Sequence, residues 1–235
     1  MGVNVVRLEG VSKTYQMGEV EIHALREVDL TVSEGELIVV LGPSGSGKTT
    51  LLNMVGGIDS VTKGKVLIYG LDISGFKETQ LSEYRRRHIG FVFQFFNLIP
   101  TLTARENVEL AAEVVEAPRD PIEMLKAVGL GDRVDHFPSE LSGGEQQRVA
   151  IARALVKKAP ILLCDELTGE LDYETGKKIL SVVKAISKEE GLTVLLVTHN
   201  AAIGPMADRV VRLRSGSVVQ VEMNPTPIDP ETLQW

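Results

Sequence analysis

The stretch Glu36-Leu-Ile-Val-Val-Leu41, followed by Gly42-Pro-Ser-Gly-Ser-Gly-Lys48-Thr49, decides the fold of this 235-residue chain. The continuous apolar run predicts a strand that is covered on both faces. The segment from Lys48 to Val55 is predicted to form a helix, which ends at Gly56-Gly57. A glycine-rich turn between a buried strand and a helix is the setting that a phosphate-binding loop requires.

The turn matches the pattern G-x-x-x-x-G-K-[ST] and predicts an ATP site. Its glycines let backbone N–H groups turn inward around phosphates, and the helix start adds the positive end of its dipole. Lys48 supplies a positive charge between the β- and γ-phosphates, and the Thr49 hydroxyl is suited to bind Mg²⁺. The residues predicted to contact the nucleotide here are Gly42, Pro43, Ser44, Gly45, Ser46, Gly47, Lys48, Thr49 and Thr50.

Outside this turn, the chain predicts an α/β fold that carries an inserted helical lobe. The first 35 or so residues alternate apolar and polar side chains, as half-buried antiparallel strands do. Ile161–Cys164 and Thr193–Val197 predict buried strands on either side of a helix around Glu174 to Glu189, which implies a parallel sheet. Between about Leu81 and Leu155, apolar residues recur at helical spacing.

We therefore predict a single α/β domain over 1–235, with a mostly parallel P-loop core of the RecA type and an N-terminal antiparallel β subdomain. The ATP-binding core is assigned to 1–90 and 158–222, and an inserted α-helical subdomain to 91–157. The last segment, 223–235, holds three prolines between Asn224 and Pro230 and is predicted to be a surface extension.

Composition narrows the possible functions. The net charge of −7 argues against a non-specific nucleic-acid binder, which needs a basic surface. The apolar runs are far shorter than the roughly 18 to 20 residues of a membrane-spanning helix. Met1-Gly2 could begin a myristoylation signal, but that motif needs Ser or Thr where Val6 stands. The single cysteine, Cys164, predicts a buried core residue in a reducing compartment, and we expect a cytoplasmic chain.

A second turn suited to anions lies at Leu141-Ser-Gly-Gly-Glu-Gln146. It opens a predicted helix, so free N–H groups and the Ser142 hydroxyl could meet a phosphate. One ATP needs only one cradle. A symmetric head-to-tail pair of chains explains the second turn, because each turn could then close over the nucleotide of the other chain. The residues predicted to contact the nucleotide in this way are Ser142, Gly143, Gly144, Glu145 and Gln146.

This second turn resembles the signature motif of ABC-transporter ATPases, and nearly the whole chain follows that family's order of motifs. The resemblance implies a homodimer that holds two ATP between its chains and closes when ATP is bound. Closure and hydrolysis would drive separate integral-membrane permease subunits. The chain would then lie on the inner face of the cell membrane, attached through the permease, with no nucleic-acid partner.

Two adjacent carboxylates, Asp165 and Glu166, end the predicted strand Ile161–Cys164. Asp165 is placed to hold Mg²⁺ through water, and Glu166 to polarise the attacking water as general base. The segment resembles the family's Walker B motif, except that Leu167 stands where proline is usual. Because proline fixes φ, we expect Leu167 to loosen the catalytic turn. The following Gly169–Asp172 resembles the D-loop, which crosses between subunits.

Three more residues are assigned by the resemblance. His199 follows the strand Thr193–Val197 and resembles the switch histidine that contacts the γ-phosphate. Gln94 matches the Q-loop at the join between core and lobe, and Tyr15 resembles the aromatic residue that stacks on adenine. The predicted catalytic residues are Glu166, His199, Gln94 and Lys48, and the predicted Mg²⁺ ligands are Thr49, Gln94 and Asp165.

The region around Gln94 is also predicted to meet the membrane partner. An aromatic cluster of Phe91, Phe93, Phe95 and Phe96 has no interleaved basic residues, which favours core packing and an apolar docking groove over base stacking. The stretch from Leu81 to Gln94, with Asn97 to Pro100, resembles the lipoprotein-release and macrolide-efflux subgroup of the family.

Other functions of P-loop proteins differ from this one in features that the sequence shows. ABC ATPases of DNA repair, chromosome organisation or translation carry long coiled coils or two ATPase domains, and neither fits 235 residues. An ordinary P-loop kinase leaves the second phosphate turn unexplained. An ABC-type ATPase that powers a membrane signalling complex, in control of cell division or a cell-wall hydrolase, stays open because it would dock on its membrane partner in the same way.

Overall fold

A computed structural model describes residues 3–234, so residues 1, 2 and 235 of the predicted domain, including Met1-Gly2, lie outside the described part. The strands in chain order are β1 (Asn4–Met17), β2 (Val20–Ser33), β3 (Leu37–Leu41), β4 (Lys63–Ile68), β5 (Leu71–Asp72), β6 (Ile89–Val92), β7 (Ile161–Asp165), β8 (Thr193–Thr198), β9 (Arg209–Arg214) and β10 (Ser217–Met223). The α-helices are α1 (Lys48–Val55), α2 (Glu78–His88), α3 (Ala104–Glu113), α4 (Pro121–Ala127), α5 (Gly143–Val156) and α6 (Tyr173–Glu190).

The central sheet, within residues 3–234, has six strands in the order β10-β9-β3-β8-β7-β6. All neighbours are parallel except β9 and β10, which form an antiparallel hairpin at one edge. Every residue of β3, β7 and β8 is buried, as the continuous apolar runs predicted. The predicted fold class, an α/β core with a mostly parallel sheet, is confirmed.

Two hydrophobic cores lie on opposite faces of this sheet, because successive side chains of a strand point to opposite sides. Leu37, Val39 and Leu41 of β3 join α5 and α6 on one face. Ile38 and Val40 join α1 and the antiparallel strands on the other face. Full burial of such a side chain is worth about 1.5–3 kcal/mol. The core therefore fixes β3, and with it the glycine-rich turn that follows.

A second sheet, antiparallel in the order β2-β1-β4-β5, covers the core on the side of α1. Its strand β2 alternates as the sequence pattern predicted, with Leu30 and Val32 buried and Asp29 and Thr31 exposed. The backbone N–H of Arg26 donates to the Gly216 carbonyl at 2.8 Å and ties this sheet to the central one.

The lobe consists of α3, α4 and α5, which pack on one another. Each begins with a side chain that accepts a bond from the third helical N–H: Thr103 for α3, Asp120 for α4 and Ser142 for α5. Such caps satisfy N–H groups that a helix start otherwise leaves free. Strand β6 runs across the boundary between core and lobe that we predicted after residue 90, and it pairs with β7 of the core. The division into core, lobe and tail stays a prediction.

The C-terminal segment is less detached than we predicted. Although most of its residues are exposed, Pro230 and Leu233 are buried. The Lys184 ammonium on α6 donates to the Ile228 carbonyl at 2.6 Å, and the Tyr173 hydroxyl donates to the Leu233 carbonyl at 2.6 Å. The end of this segment therefore lies against α6, where two buried apolar residues and two backbone acceptors attach it.

Candidate nucleotide site

A cavity of about 580 Å³ lies where four parallel strands end. The glycine-rich turn follows β3, Gln94 follows β6, Asp165 ends β7, and His199 follows β8. Ligands of open α/β sheets bind at this carboxyl edge. The predicted site residues that line the cavity are Tyr15, Ser44, Gly45, Gly47, Lys48, Thr49, Thr50, Gln94, Asp165, Glu166 and His199.

The start of α1 is open to an anion. Gly47 at its N-cap has φ of 103°, a left-handed value, and a Cβ there would lie 2.4 Å from the Ala24 carbonyl oxygen. No side chain of the described residues caps this helix, and its first turn holds no acid. Its free N–H groups and dipole therefore favour a phosphate.

Lys48 lies over the turn with only 7% of its surface exposed. Its ammonium donates to the carbonyls of Gly42 at 2.9 Å and Pro43 at 3.1 Å. Gly42 and Pro43 thus hold the lysine in place and do not line the cavity. The Ser46 hydroxyl is buried and has no hydrogen-bond partner among the described residues. The turn thus offers one ammonium and one unused hydroxyl.

Asp165 is 4% exposed at the end of β7. Burial raises the pKa of its carboxyl above the ordinary value, while a hydrogen bond with Thr49 and the charge of Lys48 oppose that shift. A nearby cation would be expected to favour the ionised form further.

The Glu166 carboxylate is held from two sides by the end of β8. The Thr198 hydroxyl donates to Oε2 at 2.9 Å, and the His199 N–H donates to Oε1 at 3.1 Å. The His199 ring nitrogen Nδ1 also lies 2.9 Å from Oε1. Glu166 has φ of 51°, a conformation that a residue other than glycine adopts only when its surroundings enforce it. The two predicted catalytic groups are therefore in direct contact.

Leu167 follows the predicted catalytic glutamate and packs in the core. Its side chain is fully buried in the core shared by the lobe and the sheet. Its carbonyl accepts a bond from the buried Gln147 amide at 3.3 Å, and the Gly169 N–H donates to the Glu166 carbonyl at 3.0 Å. The loosening of the catalytic turn stays a prediction, and the buried Leu167 side chain and its bonded carbonyl would oppose it.

Oxygen donors around the cavity fit Mg²⁺ together with a nucleotide. Among residues 3–234, no three His, Cys, Asp or Glu side chains group closely enough to hold a metal ion. Mg²⁺ in nucleotide sites usually takes one or two carboxylates, with phosphate oxygens and water completing its shell. Asp165 supplies one such carboxylate, and the Thr49 hydroxyl and Gln94 amide line the same cavity as further oxygen donors.

The second turn does not line this cavity, although a Cβ at Gly144 would lie 3.1 Å from the carbonyl oxygen of the cavity residue Glu170. Ser142 caps α5, and the Glu145 carboxylate accepts bonds from both the Ser142 N–H and hydroxyl at 2.8 Å. These bonds lower the pKa of Glu145 below its ordinary value, the backbone bond contributing most. The Gln146 amide donates to the Pro138 and Leu141 carbonyls at 3.0 and 3.1 Å. None of the described residues from 142 to 146 lines the cavity.

Sequence reasoning missed five residues that line the cavity: Ile22, His23, Ala24, Gly169 and Glu170. Ile22, His23 and Ala24 belong to β2, and the pairing of β2 with β1 in the antiparallel sheet brings them to the cavity. Gly169 and Glu170 follow the catalytic turn, and their place in the D-loop resemblance was the one available signal.

Comparison with known proteins decides the family. The sequence model described as "ABC transporter" matches residues 25–169, more than half of the chain. This chain belongs to the ABC transporter family. Within that family it is a nucleotide-binding P-loop ATPase. Among residues 3–234, no helix has both the length and the apolar character that crossing a membrane requires.

Relatives confirm the predicted subgroup. The chain is 44% identical over 220 residues to the lipoprotein-releasing system ATP-binding protein LolD of Syntrophus aciditrophicus, covering 92% of this chain and 99% of LolD. It is 42% identical over 223 residues to the macrolide export ATP-binding/permease protein MacB of Rhodopirellula baltica. That match covers 92% of this chain but only 33% of MacB.

A solved relative shares the fold. The ATP-binding cassette MJ0796, from Methanocaldococcus jannaschii, has a structure described as a dimeric post-hydrolysis state bound to ADP and Pi. It superposes with a TM-score of 0.89 at 43% identity and covers 94% of this chain and 99% of its own. The nucleotide and the dimer belong to that relative.

Proposed function

We propose that this ABC cassette binds and hydrolyses ATP as a homodimer that closes around two ATP and drives separate membrane permease subunits. The observation that carries the proposal is the split between the two turns. The cradle, Glu166 and His199 surround one cavity, whereas Ser142 to Gln146 lie outside it. A second copy can supply the missing turn, and the dimeric relative with ADP and Pi supports this arrangement.

ATP binding would use the groups around the cradle. The open N–H groups of α1 receive the phosphates, and the Lys48 ammonium moves from the carbonyls of Gly42 and Pro43 to the β- and γ-phosphates. Tyr15 stacks on the adenine. Thr49, Asp165 and Gln94 would hold Mg²⁺, which when bound neutralises charge that develops on the phosphates.

Hydrolysis would then depend on Glu166. Its carboxylate polarises the attacking water and takes its proton, as a general base does. The bonds from Thr198 and His199 fix the direction of the carboxylate, so that less reorganisation is needed when water attacks. His199 lines the cavity itself and can approach the γ-phosphate from the same side.

The permease would dock in a groove of about 380 Å³ beside Gln94. Phe91 and Phe93 stack at 4.1 Å between ring centroids and form its apolar wall. Arg85, Arg153 and Lys157 add three cations, and burial lowers the pKa of Lys157 to about 8. We expect the occupant to be a short permease segment with an apolar face and at least one carboxylate, since a carboxylate would pair with these cations and favour the charged form of Lys157.

A transport function and a membrane-signalling function would differ in the partner chain that this cassette binds. The test is purification of the tagged cassette from membranes, followed by identification of the chains that accompany it. We expect a permease, and we expect Phe93→Asp with Arg153→Glu to release it while Arg212→Glu, on the exposed hairpin, retains it. Recovery of soluble homodimers alone, of nucleic acid, or of a regulator of a cell-wall hydrolase would count against transport.

A further inference from the structure

The Tyr15 side chain is fixed at its far end. Its ring borders the nucleotide cavity, and its hydroxyl donates to Asp59 Oδ2 at 2.9 Å. Burial, followed by this bond, raises the pKa of Tyr15 above its ordinary value, so the hydroxyl remains a donor at neutral pH. A ring that stacks on a base gains most from being held in place before the base arrives.

Asp59 is in turn held by three donors from two segments. Its Oδ1 accepts bonds from the Lys13 ammonium and the Ser60 N–H, each at 2.7 Å. Lys13 is 8% exposed, and its ammonium also donates to the Ser60 carbonyl at 2.7 Å. The same ammonium lies 4.9 Å from the centroid of the Tyr15 ring. Lys13 and Asp59 thus contact the ring and its hydroxyl.

The position of Asp59 joins the base side of the cavity to the phosphate side. It lies in the loop that follows α1, the helix whose N-terminus forms the cradle. The Thr62 N–H donates to the Ser12 carbonyl at 2.8 Å, and the Thr14 N–H donates to the Thr62 hydroxyl at 3.0 Å. These bonds fix the strand that carries Tyr15 against the loop that carries Asp59.

We propose that Asp59, with Lys13, is a positioning residue that holds the Tyr15 ring in place for the nucleobase, and so sets the affinity for nucleotides over bare polyphosphate. The proposal rests on the proposed adenine contact of Tyr15. Asp59 does not line the cavity and acts through the tyrosine. Its effect is therefore confined to ligands that carry a base.

The test compares the dissociation constants of ATP and inorganic tripolyphosphate, both with Mg²⁺, by titration calorimetry on the full chain. Tripolyphosphate meets the cradle but has no base, so general damage to the fold weakens both ligands alike. Tyr15→Phe removes one hydroxyl and leaves the Lys13–Asp59 pair intact. We expect it to weaken ATP by about 2- to 10-fold relative to tripolyphosphate, the worth of one hydrogen bond.

Asp59→Ala should weaken ATP selectively to a similar extent, and the double variant should lose less than the product of the two single losses, because both variants remove the same Tyr15–Asp59 bond. Asp72→Ala is the matched control, since Asp72 accepts a similar backbone bond from Ser74 outside the cavity. If the losses multiply, or if both ligands weaken equally in Tyr15→Phe, the positioning role is contradicted.

Tyr15→Ala tests the adenine contact of Tyr15 separately from the positioning role of Asp59. Loss of the stacking ring should weaken ATP by about 5- to 100-fold relative to tripolyphosphate. If Tyr15→Ala has no selective effect, the adenine contact itself is wrong. If Tyr15→Ala is selective while Tyr15→Phe and Asp59→Ala are not, the contact stands and only the positioning role of Asp59 is overturned.

Discussion

Two helix starts of this chain are alike in sequence and opposite in structure. The start of α1 follows a glycine-rich turn, has no side-chain cap and no acid in its first turn, and borders the cavity. The start of α5 also follows a small-residue turn, but Ser142 caps it and Glu145 closes the capping box. One start has no capping side chain, whereas at the other a capping box satisfies the Ser142 and Glu145 N–H groups.

In the proposed dimer, this difference would make a single chain an incomplete site. The Glu145 carboxylate occupies the Ser142 N–H and hydroxyl, the groups that a phosphate of a second copy would approach. Arg133 lies 3.8 Å from that carboxylate and offsets part of its charge. An ATP bound to the partner chain would therefore approach a Glu145 carboxylate whose negative charge is partly neutralised. We infer that the cradle sets ATP binding and the second turn sets closure.

The largest expected effect is on turnover and comes from removing the general base while both helix starts are left intact. Glu166→Gln should lower turnover by roughly 10²–10⁴-fold, because it removes the general base while both phosphate turns remain. ATP should still bind, and dimers should persist, as phosphate-release assays and sedimentation would measure. Glu189→Gln, at an exposed acid near the end of α6 that does not line the cavity, is the control. Normal turnover of Glu166→Gln with only monomers present would refute both the base and the dimer.

The next largest effect distinguishes the role of the cradle from the role of the second turn. Lys48→Ala should weaken ATP binding by about 10- to 100-fold, the worth of a charge-assisted bond, and should abolish closure as a consequence. Ser142→Arg should leave ATP binding to the monomer unchanged and abolish closure alone, since the bulky side chain projects from the second turn. Calorimetry and ATP-dependent sedimentation measure these two quantities separately. Equal loss of ATP binding in both variants would mean that both turns serve one chain.

A smaller effect tests the charge at the second turn. Glu145→Gln keeps an oxygen that can complete the capping box but removes the negative charge. We expect ATP-driven dimers to form at about 2- to 5-fold lower ATP concentration, the worth of one charge at a helix terminus. Glu140→Gln, which changes a similar cap in the 3₁₀ turn 138–140, is the control. A rise in the ATP requirement of Glu145→Gln would indicate that the carboxylate promotes closure.

The smallest effect is on stability and depends on pH. The pKa of Glu145 is lower in the folded chain than its ordinary value of 4.5, so its ionised form stabilises the fold. That contribution is complete above about pH 4.5 and is lost as the pH falls through the lowered pKa. The stability difference between wild type and Glu145→Gln, measured by urea unfolding, should therefore shrink between pH 6 and pH 3. A constant difference over that range would contradict it.

Much of the fold could be predicted because local sequence patterns indicate the helices and strands. Lys48–Val55 is a helix between the residues expected, and β3, β7 and β8 were evident as unbroken apolar runs. Strand β6 has only four residues, and three of the six residues of β9 are arginines, so neither stands out as a buried strand. Their identity depends on pairing partners that are distant in the chain.

The candidate site was predicted in the same uneven way. Residues that follow strand ends, such as Gln94 and His199, could be placed at one edge because parallel strands end together. Asp59 and Lys13 could not, since a Lys–Asp pair 46 residues apart has no local signal. Leu167 also required the structure, which shows its side chain buried and its carbonyl bonded to Gln147.

The most direct test of the split site is a cross-link between two chains. One chain carries Ser44→Cys in the cradle, the other Ser142→Cys in the second turn, and both carry Glu166→Gln; the native Cys164 is fully buried. With ATP and mild oxidant, we predict a disulfide-linked dimer only when the two chains are mixed. Absence of that dimer while ATP is bound, or equal cross-linking in each chain alone, would contradict the proposal that a second copy completes the site.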